Sequence, residues 1–534
     1  MHRRPFIAAL ASTTLALGLG VPAFAAPGEP RADLPGAASD RARHALADVR
    51  AIFDGDDRPV ARRAGAPDRD ATLALRDLVR LRGDLTGAER REANAYLARP
   101  TDGAADPAST GYVAGTPERR TCSTTVCVHW VDTTADAPSA TDADGNSIPD
   151  FVDTTLTTMT SVHAAYVDAG YRAPKPDGAL GGDERTDIYL ADIGPLGLYG
   201  YCTTDEPLAQ TQFDSWGYCV LDNDYAADEF PTNTPVQNMQ VTAAHEYFHA
   251  VQFAYDAFED GWFMEATATW AEDELFDTID DNLQYLPAGP LGQPWVPLDW
   301  FGGSHHYGDW IWFRYLSERF PSAVGGMPTI VRNMWRRADA IPGAADAYSL
   351  QAVSQELASH NTSFGRVFAQ FAEANRRSRT TYDEGAANRY PVAPLTWTPI
   401  TLSPTRSGTT WGSVRLDHLT SATARFVPSR AMTANTWQLK VEVDMAPKTR
   451  GSQAVVTVYK RGGGTTTSLL TLNSQGDGAK RVPFDHDRVS SVELTVVNAS
   501  ARSTCWQDVT SPYSCLGVPR DDALTQRLRG VATR

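Results

Sequence analysis

Apolar and polar positions divide the chain into helical and extended stretches. Leu73, Leu75, Leu78, Val79 and Leu81 fall at helical spacing. Thr86 followed by Glu89 has the form of a capping box for a second helix reaching Leu97, with Pro100 closing it from outside. Further on, 127–131, 187–191 and 217–221 are short, largely apolar runs expected as strands, and 154–171 reads as a helix. Thr234 and Pro235 give an N-cap with proline at the first helical position. Residues 236–257 then run without proline or glycine. After a turn over 256–261, a helix resumes through Trp262 to Glu272. A last one, 309–320, carries Trp310, Phe313, Leu316 and Phe320 on its apolar side. From about Trp397 to Asn498 the pattern changes. Residues 437–443 alternate apolar and polar, 453–459 and 492–497 are rich in β-formers, and a glycine run, 462–464, separates segments. Roughly seven strands over this length predict an antiparallel sandwich. The fold class expected is α+β: a mixed domain over 116–385 followed by an all-β sandwich over 386–534.

The N-terminus bears on compartment. His2, Arg3 and Arg4 precede an apolar run, 6–20, and Ala23-Phe24-Ala25 offers a small-x-small cleavage pattern. Residues 1–25 are expected to be a secretory signal peptide, giving a released, extracellular protein with no membrane partner. Residues 26–115 contain the first helical pair, no cysteine, and a loose Pro/Gly/Thr-rich end. They are expected to be a propeptide, which would make the chain a zymogen, or an N-terminal extension that stays attached. The formal net charge of −17, without a basic cluster in the mature chain, argues against nucleic acid or an anionic membrane as partner. Six cysteines fall as close couples, Cys122 with Cys127, Cys202 with Cys219 and Cys505 with Cys515. In an exported chain they are expected as three local disulfides.

The strongest chemical signal is His245-Glu246-Tyr247-Phe248-His249. A helix places His245 and His249 one turn apart on one face, where both imidazoles reach one metal ion. Glu246 is rotated off that pair, near enough to polarise a water. A zinc site needs a third protein ligand. Helix geometry favours Glu265, in the first turn of the following helix, with Glu272, Asp273 and Glu274 as further acidic candidates. Gly302-Gly303-Ser304-His305-His306-Tyr307-Gly308 precedes a helix, and Tyr307 or His305 is expected to supply an oxyanion donor, with His306 ranked below them. Residues 217–221, shortly before the active helix, are a candidate edge strand along the cleft. A second metal candidate runs from Asp142 to Asp153. Asp142, Asp144, Asn146, the Ile148 carbonyl, Asp150 and Asp153 stand at EF-hand-like positions and suit Ca²⁺, although glycine stands at position four and Asp153 replaces a glutamate.

His245 to His249 followed by Trp262-Phe263-Met264-Glu265-Ala266 resembles the gluzincin metallopeptidases, thermolysin-like and aminopeptidase-N-like enzymes among them. The run from about 122 to 377 also resembles a group of secreted bacterial metalloproteases. The resemblance implies a zincin-type domain, Zn²⁺ held by His245, His249 and Glu265, and Glu246 as base. Thr269 stands where thermolysin-like enzymes have an acidic residue four positions after the glutamate. The aminopeptidase motif G-x-M-E-N is absent, which leaves an endopeptidase acting on a protein or peptide substrate. Two other classes share these features: a zinc hydrolase of a non-peptide bond, and a non-catalytic extracellular binding protein whose sandwich holds a ligand.

Overall fold

The computed structural model describes residues 38–53, 71–102, 111–207, 213–508 and 511–534. The expected signal peptide, 1–25, lies outside them, as do parts of 26–115.

The first unit is built on a five-stranded sheet in the order β1-β2-β3-β5-β4, with β1 Glu118–Cys122, β2 Val126–Val131, β3 Thr186–Ala191, β4 Gly200–Thr203 and β5 Tyr218–Asp222. The three inner strands run parallel, and the two edges antiparallel to their neighbours. Parallel strands are covered on both faces, and β2, β3 and β5 are buried almost throughout. Side chains alternate between two cores. Val128, Ile188, Leu190 and Leu221 pack with helices α4 Asp150–Asp168 and α5 Pro235–Asp256. Val131, Tyr189, Tyr201, Tyr218 and Val220 pack with α1 Ala38–Phe53, α2 Thr72–Leu81 and α3 Gly87–Tyr96. The N-terminal helices thus form a third layer on the sheet.

Several expectations change. The expected strand 217–221 corresponds to β5, Tyr218–Asp222, which lies between β3 and β4, so the edge strand on that side is β4. Helix α1 is additional: its buried stripe of Ala42, Ala45, Leu46, Val49 and Phe53 includes two alanines, among many charged residues, and is too weakly apolar to stand out. Thr86 makes no side-chain cap. At α5 the capping box is complete, with Thr234 and Gln237 bonding reciprocally. The three expected disulfides are present, and Cys202 sits directly opposite Cys219.

Helix α6 Gly261–Phe276 returns antiparallel to α5 after a short turn. The short α7 His305–Gly308 and α8 Trp310–Arg319 pack against it. A two-strand hairpin, β6 Ala323–Val324 and β7 Met327–Pro328, leads to α9 Thr329–Arg337, α10 Leu350–Ser359 and α11 Phe364–Ala374.

The C-terminal unit is a sandwich. One sheet has the order β13-β12-β15-β10-β8 and the other β14-β11-β18-β9. Their strands are β8 Ile400–Leu402, β9 Gly412–Leu416, β10 Thr420–Pro428, β11 Gln438–Asp444, β12 Ser452–Lys460, β13 Thr465–Leu469, β14 Asp477–Pro483, β15 Val489–Asn498 and β18 Leu524–Thr533. The pair β16 Ser503–Thr504 and β17 Val518–Pro519 brackets the Cys505–Cys515 loop. The five-stranded sheet does not offer its outer face to solvent. Val455 and Val497 share a core with Phe364 and Phe368 of α11, and the buried Arg376 is ion-paired to Glu493 at 2.9 Å.

The disulfide loop docks on the start of α6. The Cys515 amide donates to Asp260 at 3.1 Å, the Phe301 amide to the Pro512 carbonyl at 2.7 Å, and Trp262 Nε1 to Ser514 Oγ at 3.1 Å. Among the described residues no helix is long and apolar enough to cross a membrane.

His418 joins the two units, with Nε2 2.8 Å from Asp299 and Nδ1 2.6 Å from Asp522. Burial disfavours the imidazolium, but the two carboxylates outweigh it and hold the pKa up at about 10. A raised folded-state pKa stabilises fully below the ordinary value of 6.5 and is lost as pH rises through about 10. The melting temperature is therefore expected to fall between those limits by a component that His418→Gln lacks. Parallel pH profiles for the two proteins would show that the pair contributes nothing.

Candidate metal centre and cleft

His245 and His249 lie one turn apart on α5 and face α6, as the spacing requires. Their ring centroids are 4.9 Å apart. Glu265, in the second turn of α6, comes between them. Its Oε2 is 3.2 Å from His245 Nε2 and its Oε1 3.6 Å from His249 Nε2. One ligand atom from each of the three residues lies within 4.8 Å of the others, and all three are buried.

The other ring nitrogens settle the orientation of the pair. His245 Nδ1 meets Glu272 Oε1 at 2.7 Å, and His249 Nδ1 meets Gln252 Oε1 at 2.7 Å. Both oxygens accept, so both Nδ1 atoms carry hydrogen and both Nε2 atoms turn toward Glu265. Gln252 is itself held, because its amide donates to the Met264 carbonyl at 3.0 Å and to Thr267 Oγ1 at 3.1 Å. Of the acidic candidates on α6, Glu265 faces both Nε2 atoms and Glu272 meets Nδ1 of His245. Asp273 bonds Asn282 and pairs with Arg314 at 3.0 Å, and Glu274 lies 3.7 Å from Arg314.

Two imidazole lone pairs aimed at one buried carboxylate form an acceptor-only cluster, which a cation stabilises. Two donors of a tetrahedral ion held at about 2.0–2.1 Å sit about 3.3 Å apart. The observed separations of 3.2 and 3.6 Å fit that spacing.

Through His245 the cluster meets a small cleft of about 30 Å³, with Glu246, Tyr199, Tyr285, Tyr307 and Asp281 also on its walls. Glu246 projects beside the edge strand, where Gly200 is required. A Cβ at Gly200 would stand 3.0 Å from Glu246 Cγ and 2.8 Å from Thr242 Cγ2. Tyr307 stacks its ring 5.0 Å from Tyr285 and 6.1 Å from His245. His305 is placed differently. Its ring nitrogens meet the Ala288 and Pro297 carbonyls at 2.7 and 3.1 Å, and burial pushes its pKa down. It fastens the loop that presents Tyr307. His306 stacks on Phe301 and accepts the Gly302 amide hydrogen at 3.2 Å.

The Asp142–Asp153 loop brings Asp142, Asp144 and Asp150 carboxylate oxygens within 4.8 Å of one another. The loop is also knit by its own bonds. Asp142 accepts three amide hydrogens, from Gly145, Asn146 and Ser147, and Asn146 Nδ2 donates to Asp153 at 2.8 Å. Asn146 Oδ1 accepts the Ile148 amide hydrogen at 2.7 Å. Two further acidic groups were not anticipated: Asp222 with Asp224 and Glu229, and Asp273 with Asp277 and Glu384. Gln252 was also missed, although its spacing of three from His249 is a helical signal.

Compared with protein-family models and with curated proteins, the chain matches none. Among solved structures, one similarity is to "A novel family GH115 4-O-Methyl-alpha-glucuronidase, BtGH115A, with specificity for decorated arabinogalactans". It has 9% identity and a TM-score of 0.13, covering 57% of this chain and 42% of that one. The chain thus spans less than half of that protein's length, and a likeness this low carries no argument about fold or activity.

Two outcomes are expected here. Glu272→Gln should weaken divalent-metal binding about 10–100-fold through loss of His245 orientation. Glu265→Gln should weaken it further. Equal affinity in both variants and the wild type, by competition with a chromogenic chelator, would remove α6 from the site. For the acidic loop, calcium is expected to raise the melting temperature and Asp142→Ala or Asp150→Ala to abolish the rise. Identical melting in calcium and in chelator would dismiss that ion.

Proposed function

We propose that the protein is a secreted zinc-dependent endopeptidase whose catalytic domain is of the zincin type. The observation that carries the reading is the convergence of His245, His249 and Glu265 from two antiparallel helices, with Glu246 on the cleft wall beside them. Two nitrogens and one carboxylate oxygen, with room left for water, are the donor set of a catalytic zinc site. The three disulfides are compatible with an oxidising compartment.

His245, His249 and Glu265 would hold the ion, with Glu272 and Gln252 fixing the rings. When bound, zinc acidifies a water and polarises a carbonyl. Glu246 accepts the proton of the attacking water and passes it to the departing amine. Tyr307 lines the same cleft near His245, and its hydroxyl would be the donor for negative charge developing on the carbonyl oxygen. His245, Glu246, His249 and Glu265 are all buried, which keeps the local dielectric low and strengthens each of these interactions.

The test is elemental analysis of the purified protein, paired with proteolysis of an unstructured protein substrate. About one zinc per chain is expected. Glu246→Ala should keep that zinc and lose activity by orders of magnitude. A Glu246→Ala protein that cleaves as fast as wild type would falsify the mechanism. Zinc retained with ester but no peptide hydrolysis would move the substrate to a non-peptide class.

A further inference from the structure

The N-terminal layer reaches the cleft through one side chain. Thr72, the first residue of α2, is fully buried. Its Oγ1 accepts the amide hydrogen of Cys202 on β4 at 2.9 Å and lies 3.1 Å from Oε2 of Glu246. The amide can only donate, which leaves the hydroxyl hydrogen for the carboxylate. A backbone amide of the edge strand, a threonine hydroxyl and the proposed base thus form one chain of hydrogen bonds.

The layer carrying Thr72 is tied down along its length. Leu73 belongs to the core around α5 and α6, and Arg76 Nη1 donates to the Glu259 carbonyl at 2.8 Å in the turn joining them. Arg99 is buried against Asp177, Asp187 and Asp205, at 2.6, 2.5 and 2.8 Å. Tyr218 on β5 bonds the Leu97 and Ala98 carbonyls through its hydroxyl, and Tyr112 reaches the His129 and Leu190 carbonyls. Taking the layer away would expose Tyr189, Tyr201, Tyr218 and Val220 and leave the buried Asp187 without its arginine. Breaking a buried ion pair by removing one partner is strongly destabilising.

We infer that the described residues of the N-terminal stretch, 38–53, 71–102 and 111–112, are a permanent layer of the enzyme and that Thr72 is a positioning residue for Glu246. The second half of this statement rests on the peptidase reading. The hydroxyl holds Oε2 and so sets the orientation of the carboxylate. The same contact occupies the Cys202 amide, which is thereby closed to an extended substrate pairing along β4.

The competing arrangement is an inhibitory clasp, whose removal frees the base. Kinetics on the full secreted chain separate the two. Thr72→Val should lower kcat about 10–100-fold, the rate equivalent of one hydrogen bond to a charged group, with little change in KM. Thr72→Ser should restore most of it. The N-terminus of the active protein, read by intact mass, should lie upstream of Thr72. A Thr72→Val protein as active as wild type or more so, or an active species beginning after Tyr112, overturns the proposal.

A second measurement needs no activity. Thr72→Val should lower the melting temperature more in the wild type than in a Glu246→Ala background. Equal drops would mean that the two side chains are not coupled. If zinc-loaded wild type cleaves no peptide, the peptidase reading fails, while the melting cycle and the N-terminus still decide whether the contact and the layer stand.

Discussion

A carboxylate buried between two imidazoles dictates much of what surrounds it. Glu265 can be held there only if α6 lies antiparallel to α5 at the right height, because a shift of one residue along a helix moves a side chain by about 1.5 Å and rotates it off the face. The chain meets this demand from several directions. Gln252 ties α5 to α6 through the Met264 carbonyl, and Glu272 ties α6 back to His245. Trp335 on α9 donates to Thr267 at 3.2 Å, behind the pair. The polar groups of the centre are each held by a neighbour that is itself held.

The two units of the chain share this task. Asp260 stands at the N-cap of α6, yet its side chain accepts the Cys515 amide hydrogen and does not cap its own helix. The start of the ligand-bearing helix is therefore fixed by a loop from the sandwich. On the other side, α2 of the N-terminal layer touches Glu246 through Thr72. Three separate stretches of sequence close round one helical hairpin, and each buries apolar surface in doing so.

The sequence revealed those parts of this arrangement that depend on local periodicity. His245 and His249 at spacing four, the N-cap at Thr234 and the alternation over 437–443 all follow from backbone geometry over a few residues. Glu265 and Glu272 share a face of α6, so periodicity alone does not rank them. The crossing of the two helices does, and it places one at Nε2 and the other at Nδ1 of His245. Strand β4 was missed because four residues, Gly-Tyr-Cys-Thr, are too few to alternate. Strand β18 turns Leu524, Gln526, Leu528, Gly530 and Ala532 inward, a stripe too small and mixed to announce a strand. The contact of Thr72 with Glu246 spans 174 positions and leaves no local trace.

The place of β18 sets an order in time. It comes after β9 and β11 in sequence, at Leu524–Thr533, but lies between them, inside its sheet and not at an edge. A chain emerges from the ribosome N-terminus first and folds in that direction. The four-stranded sheet cannot close until residues 524–533 have been made, and the Cys505–Cys515 loop that bonds the start of α6 belongs to the same late-made stretch. The helical hairpin bearing the histidines is thus synthesised some 250 residues before its last support. A chain that has reached only residue 500 carries His245, His249 and Glu265 yet lacks the loop that bonds Asp260 and Trp262 at the start of α6.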